Sequence, residues 1–117
     1  GDPAAAVNLV DLCHAIGIKS VRVVDPYHMA ETEAVIKEEL EKEEPSVIIS
    51  RRPCVLLKSV KPQPALTVDN DKCKSCKRCM TLGCPAISMK DGKAKVDATL
   101  CVGCGVCKQL CAFDAIV

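Results

Sequence analysis

Aromatic residues, long apolar runs and excess charge are all scarce in this sequence. Its aromatic residues are Tyr27 and Phe113, and it has no tryptophan. A small core without aromatic side chains buries little apolar area, so a small domain needs a further cross-link such as a bound metal. No apolar run approaches the ~20 residues that span a bilayer, and the opening GDPAAAVNL lacks the basic and apolar regions of a signal peptide. The formal net charge of +1 gives no general attraction to nucleic acid or membranes.

Cysteine, in contrast, is abundant, with ten in 117 residues. Such a content is typical of either a disulfide scaffold or metal ligation. The repeated spacing C-x2-C-x2-C places the thiols too close for separate long-range bridges and suits one shared inorganic centre. The sequence therefore predicts a cytoplasmic protein whose reduced thiols bind metal, with no nucleic-acid or membrane partner.

Residues 1–58 carry the alternating pattern of an α/β fragment. Asp2 and Pro3 are a helix-start signal, and Gly17 is a helix-end residue. The pattern predicts helices over 4–16 and 30–44 and strands over 20–25 and 46–50. A strand–helix–strand unit of this length is expected to pair its strands in parallel.

The second predicted strand, SVIIS, has an unbroken apolar centre, which requires cover on both faces of the sheet. Residues 1–58 are too few to provide that cover. We therefore expect them to be the edge of a larger α/β domain or to pack on a partner. The chain also opens at Gly1 without methionine, as expected of a piece of a longer protein.

Residues 59–67 are predicted to be an extended linker, and residues 68–117 form an internal repeat. The first three cysteines of the repeat recur 28 positions later and the fourth recurs 27 positions later. Between the two copies, Asp91-Gly92 is a two-residue hairpin signal. We expect an α+β fold whose C-terminal domain is ferredoxin-like and pseudo-twofold symmetric, with one cluster in each half.

The cysteine spacing predicts two [4Fe–4S] clusters. Three thiolates of C-x2-C-x2-C can hold three irons of one cluster, and in the bacterial two-cluster pattern the fourth cysteine of each run binds the other cluster. The first cluster is assigned Cys73, Cys76, Cys79 and Cys111; the second is assigned Cys101, Cys104, Cys107 and Cys84. Two zinc sites are the alternative metal interpretation, but zinc sites favour paired C-x2-C units.

The first run has four residues before its last cysteine where three are usual, which lengthens the crossing loop without removing a ligand. No candidate acid, base or nucleophile lies among these cysteines, so the domain is predicted to transfer electrons. The basic residues of the first run, Lys72, Lys74, Lys77 and Arg78, are interpreted as partial compensation of cluster charge.

Several residues outside the runs have a structural and a functional interpretation. Cys13 and Cys54 are expected to be buried thiols, although Cys54 could approach a cluster. Tyr27 and His28 lie at the end of a parallel strand, where α/β folds bind ligands, but a plain loop role is the simpler interpretation. The glutamates of 38–44 are expected to form a solvated helix face, with docking of a basic partner as the alternative.

The segments that carry a family resemblance are, in order, VRVVDPY, EPSVIISRRPCVLL and C-x2-C-x2-C-x4-C-P. In these segments the chain resembles the C-terminal end of the alpha subunit of indolepyruvate:ferredoxin oxidoreductase. The resemblance implies that the complete enzyme decarboxylates aryl 2-oxoacids oxidatively to acyl-CoA in anaerobes and passes electrons to an external ferredoxin. It also implies a beta subunit, and it makes residues 1–58 the tail of a thiamine-diphosphate domain.

No Gly-Asp-Gly motif is present, so thiamine diphosphate and Mg²⁺ are expected only with an upstream region, and this chain alone should not decarboxylate. The alternative function is a free-standing ferredoxin-type carrier with an N-terminal partner-docking domain.

Overall fold

The computed structural model describes residues 5–117. The chain forms two compact units, Gly1–Arg52 and Pro53–Val117. Within the described part of the chain, no helix has both the length and the apolar character needed to cross a membrane.

The described part of the first unit has two helices and two strands in the predicted alternating order. They are α1 (Leu9–Ala15), β1 (Ser20–Val24), α2 (Met29–Leu40) and β2 (Ser46–Ser50). The strands pair in parallel, with Ser20 opposite Ser46 and Val24 opposite Ser50. Their β-branched residues suit this extended conformation.

Both helices of the first unit are shorter than predicted. The predicted cap at Asp2 and Pro3 lies outside the described residues, and α1 begins at Leu9. Its cap is Asn8, whose side chain accepts hydrogen bonds from the backbone N–H groups of Val10 and Asp11. The prediction of helix from residue 4 was therefore wrong for residues 5–8. The prediction for 30–44 was wrong at its end, because α2 stops at Leu40.

The core of the first unit is small. Val24 and Val35 are buried, whereas two apolar residues of α2, Ile36 and Leu40, are 42% and 79% exposed. α1 buries no residue at all. The unit therefore leaves much of its apolar surface uncovered.

Glu39 is buried, which contradicts the prediction that the glutamates of 38–44 are all solvated. Its carboxylate accepts hydrogen bonds from Ser20 Oγ at 2.6 Å and Lys42 Nζ at 2.8 Å. Arg22 lies 3.5 Å from it. Hydrogen bonding by Lys42 and Ser20 lowers the pKa of Glu39 below its ordinary value. The carboxylate thus links α2 to β1.

A small polar cluster closes the end of β1. Asp25 accepts a hydrogen bond from the Tyr27 backbone N–H at 2.9 Å and pairs with Arg52. The Arg52 guanidinium lies 4.0 Å from the centroid of the Tyr27 ring. His28 is exposed and lies 3.4 Å from Glu31. These contacts give Tyr27 a structural role in the loop.

The second unit contains one hairpin and two short helices. They are a 3₁₀ helix (Arg78–Leu82), β3 (Ile87–Lys90), β4 (Lys93–Val96) and α3 (Val106–Leu110). β3 and β4 are antiparallel, and the residues between them, Asp91 and Gly92, have φ of 50° and 76°. Two successive positive φ values define the predicted tight turn, so the hairpin prediction is confirmed.

The chain at Thr67 and Val68 pairs with the C-terminal end of the second unit. Val68 and Ile116 form an antiparallel bridge. Thr67 exchanges two backbone hydrogen bonds with Val117, at 2.7 and 3.0 Å. Leu66 packs against the core. The last residues of the predicted linker are therefore ordered against the second unit.

The core of the second unit consists of small and β-branched residues together with cysteines. Its most deeply buried members are Ala86, Ala115 and Ile116, each at most 2% exposed. Three of the predicted ligands, Cys73, Cys79 and Cys107, belong to the same core. The predicted metal site is thus part of the core of this unit.

Candidate metal centre

The two cysteine runs have the same backbone conformation. In the first run, Ser75 and Lys77 have φ of 57° and 61°; 28 positions later, Gly103 and Gly105 have φ of 67° and 78°. Backbone that visits the left-handed region in this way points successive N–H groups into a concavity, a geometry that binds anions and iron–sulfur clusters. Each run therefore forms a cradle for a negatively charged centre.

Each run begins at an aspartate that fixes its first cysteine. The Cys73 N–H donates to the Asp69 carbonyl at 3.0 Å, and the Cys101 N–H donates to the Asp97 carbonyl at 3.0 Å. The aspartate side chains also accept hydrogen bonds from backbone N–H groups two residues further on, at Asp71 and Thr99. The two predicted cluster loops thus start from the same turn.

The four predicted ligands of the first cluster line one cavity. Cys73, Cys76, Cys79 and Cys111 all contribute to its wall, and its empty space is ≈ 390 Å³ including the opening to solvent. Cys73 and Cys79 are buried, Cys111 is half-buried and Cys76 is exposed. Cys111, distant in sequence, is therefore brought to the run that begins at Cys73.

The thiols of this cavity influence one another. Burial raises the pKa of Cys79, and the charges of Cys76, Cys111 and Cys73 raise it further. The pKa of Cys73 is lowered, mainly by backbone N–H groups of Ala94 and Ser75 that hydrogen-bond to its sulfur. Four thiolates so close together repel one another unless a cationic centre lies between them, which fits a cluster whose irons each take one thiolate.

The predicted ligands of the second cluster are also brought together. Burial raises the pKa of Cys107 to about 11, with further contributions from the charges of Cys104, Cys101 and Cys84. Cys84 comes from the first run, whereas the other three come from the second. The structure therefore groups these four thiols apart from the set around Cys79.

The extra residue before Cys84 has a clear structural position. Gly83 ends the 3₁₀ helix with φ of 67°, and its N–H donates to the Met80 carbonyl at 3.1 Å. In the second run the corresponding bond to Lys108 is made by Cys111 itself, also at 3.1 Å. The additional residue is thus a left-handed turn that lengthens the path to Cys84, which glycine adopts without strain.

Two groups near the sulfurs were missed by sequence reasoning. Ala115 N–H lies 3.4 Å from Cys111 Sγ, and Lys93 Nζ donates to the Cys73 carbonyl at 2.6 Å. Lys93 follows the hairpin turn, and nothing in its spacing relates it to Cys73. The Lys93 contact depends on how the hairpin packs against the first run.

The two remaining cysteines were predicted to be buried, and neither is fully buried. Cys54 is exposed and Cys13 is half-buried. α1 buries no residue, which leaves Cys13 partly open, and Cys54 lies in an irregular turn after Pro53.

Among residues 5–117, no set of three or more His, Cys, Asp and Glu side chains is arranged to hold a single metal ion.

Comparison with known proteins identifies a domain family and several relatives of this chain. Residues 65–112 match the family described as the 4Fe-4S dicluster domain. Along 97% of its length the chain is 41% identical to indolepyruvate oxidoreductase subunit IorA of Pyrococcus abyssi. It is 35% identical over 99% of its length to subunit IorA of Methanothermobacter marburgensis. A shorter similarity, 43% identity over 42% of the chain, relates it to dihydromethanopterin reductase (acceptor) of Methanosarcina mazei.

The chain spans about a fifth of the length of the IorA subunits that it matches. Its cofactors are two [4Fe–4S] clusters, as the dicluster domain requires.

Proposed function

We propose that the chain is the C-terminal, electron-relaying part of an indolepyruvate oxidoreductase subunit IorA, because it is 41% and 35% identical to two such subunits along 97% and 99% of its length. The observation that carries this proposal is the gathering of eight cysteines into two sets of four within the matched dicluster region. When bound, each cluster can accept and release one electron at a time. The surrounding residues hold the clusters, and we assign no acid, base or nucleophile to them.

The proposed ligands cross between the two halves. Cys111 of the second run completes the set of Cys73, Cys76 and Cys79, which is supported by the shared cavity. Cys84 of the first run completes the other set, which is supported by its electrostatic effect on Cys107. Each half then depends on the other for a ligand, so cluster binding and folding of this unit are coupled.

We also propose that the two halves are related by a pseudo-twofold axis. Val68 pairs with Ile116, and its counterpart Val96 pairs with Ile87. The N–H groups of the following aspartates, Asp69 and Asp97, donate at 2.8 Å to the carbonyls of Ala115 and Ala86. The hydrogen bonds, the φ values and the cysteine spacing therefore repeat together.

The chain's own backbone would determine much of the electronic environment of the clusters. N–H groups aimed at sulfur stabilise negative charge on it and favour the reduced state. Ala115 makes such a contact with Cys111, and Ala94 and Ser75 make them with Cys73. The first proposed cluster thus has donors on at least two of its four ligands.

For the first unit we propose the tail of a thiamine-diphosphate domain, as part of a larger protein. A parallel pair of strands with one connecting helix is typical of the edge of a larger α/β sheet. Exposed apolar residues such as Leu40 and Ile16 then have the rest of that domain as their cover. The boundaries 1–58, 59–67 and 68–117 belong to this proposal.

The proposed activity of the complete protein is oxidative decarboxylation of aryl 2-oxoacids to acyl-CoA. Thiamine diphosphate and Mg²⁺ would be bound by the upstream part of the protein, and a beta subunit would complete the enzyme. This chain would pass the electrons to an external ferredoxin. The name of the relatives, an oxidoreductase subunit acting on indolepyruvate, is the support for this step.

Metal analysis of strictly anaerobic protein tests the relay. We expect about eight irons and eight acid-labile sulfides per chain, with interacting signals of reduced [4Fe–4S] clusters in electron paramagnetic resonance after dithionite treatment. Zinc without labile sulfide would contradict the proposal. Restoration of 2-oxoacid oxidation on adding the upstream region would test the activity of the complete protein separately.

A further inference from the structure

The first cysteine run carries a dense group of positive charges at the surface. Lys72, Lys74, Lys77 and Arg78 lie within seven residues that contain no acidic side chain, and all four are exposed. We call these four residues the basic collar. Lys74, Lys77 and Arg78 also line the cavity of the first proposed cluster.

Compensation of cluster charge does not account for all of this positive charge. A [4Fe–4S] cluster with four thiolates carries about −2. The collar carries four positive charges. Lys72 is partly offset by Asp69, 3.8 Å away, and no ion pair joins the other three to residues in the described part of the chain. A positive excess therefore remains beside the cavity.

The corresponding residues of the second run have a different character. Val102, Gly103, Gly105 and Val106 stand where the first run has Lys74, Ser75, Lys77 and Arg78.

The second run is also less accessible. A Cβ placed on Gly103 would lie 2.5 Å from the Pro64 carbonyl oxygen and 2.6 Å from the Gln63 side chain. The chain before Leu66 thus covers this loop closely. In contrast, Cys76 is exposed at the centre of the collar segment. The two cysteine runs therefore differ in charge and in access to solvent.

An apolar side chain lies on the same cavity as the collar. Phe113 is 42% exposed and contributes to the wall that holds Cys76 and Cys111. Short-lived complexes between redox proteins bury a small area, and complementary charge around it steers the partners together. An exposed ligand, a neighbouring apolar ring and a rim of one charge sign match that kind of surface.

We propose that the basic collar docks an acidic electron-carrier protein beside the cluster held by Cys73, Cys76, Cys79 and Cys111. This inference rests on the proposed electron-relay function. The step is the transfer of one electron between the cluster and the carrier, in which one is oxidised as the other is reduced. No bond forms or breaks and no proton is transferred. In this proposal the cluster of the second run lies further from the docked carrier along the path of the electron.

The test is binding of an acidic plant-type [2Fe–2S] ferredoxin to the complete iron-loaded chain. Both proteins are kept oxidised, and the dissociation constant is measured by calorimetry at low and high salt. The collar variant is Lys74→Glu/Lys77→Glu/Arg78→Glu. A matched control, Lys61→Glu/Lys90→Glu/Lys95→Glu, reverses three exposed lysines of the same unit elsewhere. Both variants change the net charge equally.

We expect the collar variant to bind about tenfold more weakly at low salt, because each of the three reversals replaces an attractive surface charge pair with a repulsive one. The control should change binding by less than about twofold, and salt should weaken wild-type binding far more than that of the collar variant.

If carrier binding weakens equally in both variants, or in neither, the proposal that the basic collar docks the carrier is wrong. If the reversed variant loses iron, Lys74→Gln/Lys77→Gln/Arg78→Gln provides the same test with a smaller expected effect. Iron and labile sulfide are measured in every sample. A wild-type chain without labile sulfide would contradict the electron-relay function itself. An iron-loaded chain whose carrier binding is unaffected by the collar substitutions would contradict the docking surface alone.

Discussion

Substitution of Gly103 by alanine should destabilise the cluster-bearing unit more than the same substitution at Gly105. Both glycines have left-handed φ, 67° and 78°, which costs a residue with a Cβ roughly 1–2 kcal/mol. At Gly105 nothing lies within 4 Å of an added Cβ, so the strain is the whole effect. At Gly103 the added Cβ meets the Pro64 and Gln63 carbonyl oxygens at 2.5 and 2.7 Å.

Backbone atoms at those distances have to move, and overpacking of this kind costs about 1–3 kcal/mol more. In a domain of roughly 60–100 residues, 1 kcal/mol lowers Tm by about 4–8 °C. Gly103→Ala should therefore melt at least several degrees below Gly105→Ala.

The assay is loss of cluster absorbance on anaerobic heating at one fixed scan rate, because cluster loss is irreversible. Equal Tm values for the two variants would refute the close contact between Gly103 and the chain at Gln63–Pro64.

Three further predictions concern backbone strain, a buried carboxylate and metal removal. Lys77→Gly should raise Tm, since its φ of 61° is left-handed; Lys74→Gly, with the same loss of charge at a residue without positive φ, should lower it. Because the pKa of Glu39 is lowered, its stabilising charge is complete above its ordinary pKa and is lost as the pH falls through the lowered value. Amide-exchange protection of β1, corrected for intrinsic rates, should therefore stay constant between about pH 7 and 5.5. Removal of the clusters by oxidation and chelation should abolish amide protection in the β3–β4 hairpin.

Each of these has an outcome that would contradict it. A lower Tm for Lys77→Gly than for Lys74→Gly would show that Lys77 is not strained. A fall in β1 protection between about pH 7 and 5.5 that is absent in Glu39→Gln would show a raised pKa for this carboxylate. A protected hairpin in the metal-free chain would show that the second unit folds without its clusters.

Local signals in the sequence were sufficient for some of the regular elements. Strand β2 and the hairpin occur where predicted, because an apolar β-branched run and an Asp-Gly turn act within a few residues. The start of α1 was predicted wrongly for residues 5–8 because the prediction was based on Asp2-Pro3, whereas the side chain that caps the described helix is that of Asn8.

Long-range contacts were not predictable from one sequence. The burial of Glu39 depends on Ser20 and Lys42 meeting it from different elements. The cover over Gly103 depends on a segment that reads as a linker. The cysteine runs are different, because a metal centre constrains ligand spacing and leaves a regular pattern. The sequence therefore yields an assignment of the ligands, which stays a prediction, and gives no indication of which loop is covered.

The central claim is that the ligand sets cross between the two runs, and iron content of paired cysteine variants tests it most directly. Cys76→Ser/Cys111→Ser removes two ligands assigned to one cluster, whereas Cys76→Ser/Cys84→Ser removes one ligand from each. Cys54→Ser, at an exposed thiol outside both sets, is the control. We predict that the first pair keeps one intact [4Fe–4S] cluster, about four irons, and that the second pair damages both. Retention of an intact cluster by the Cys76/Cys84 pair instead would contradict the crossed assignment.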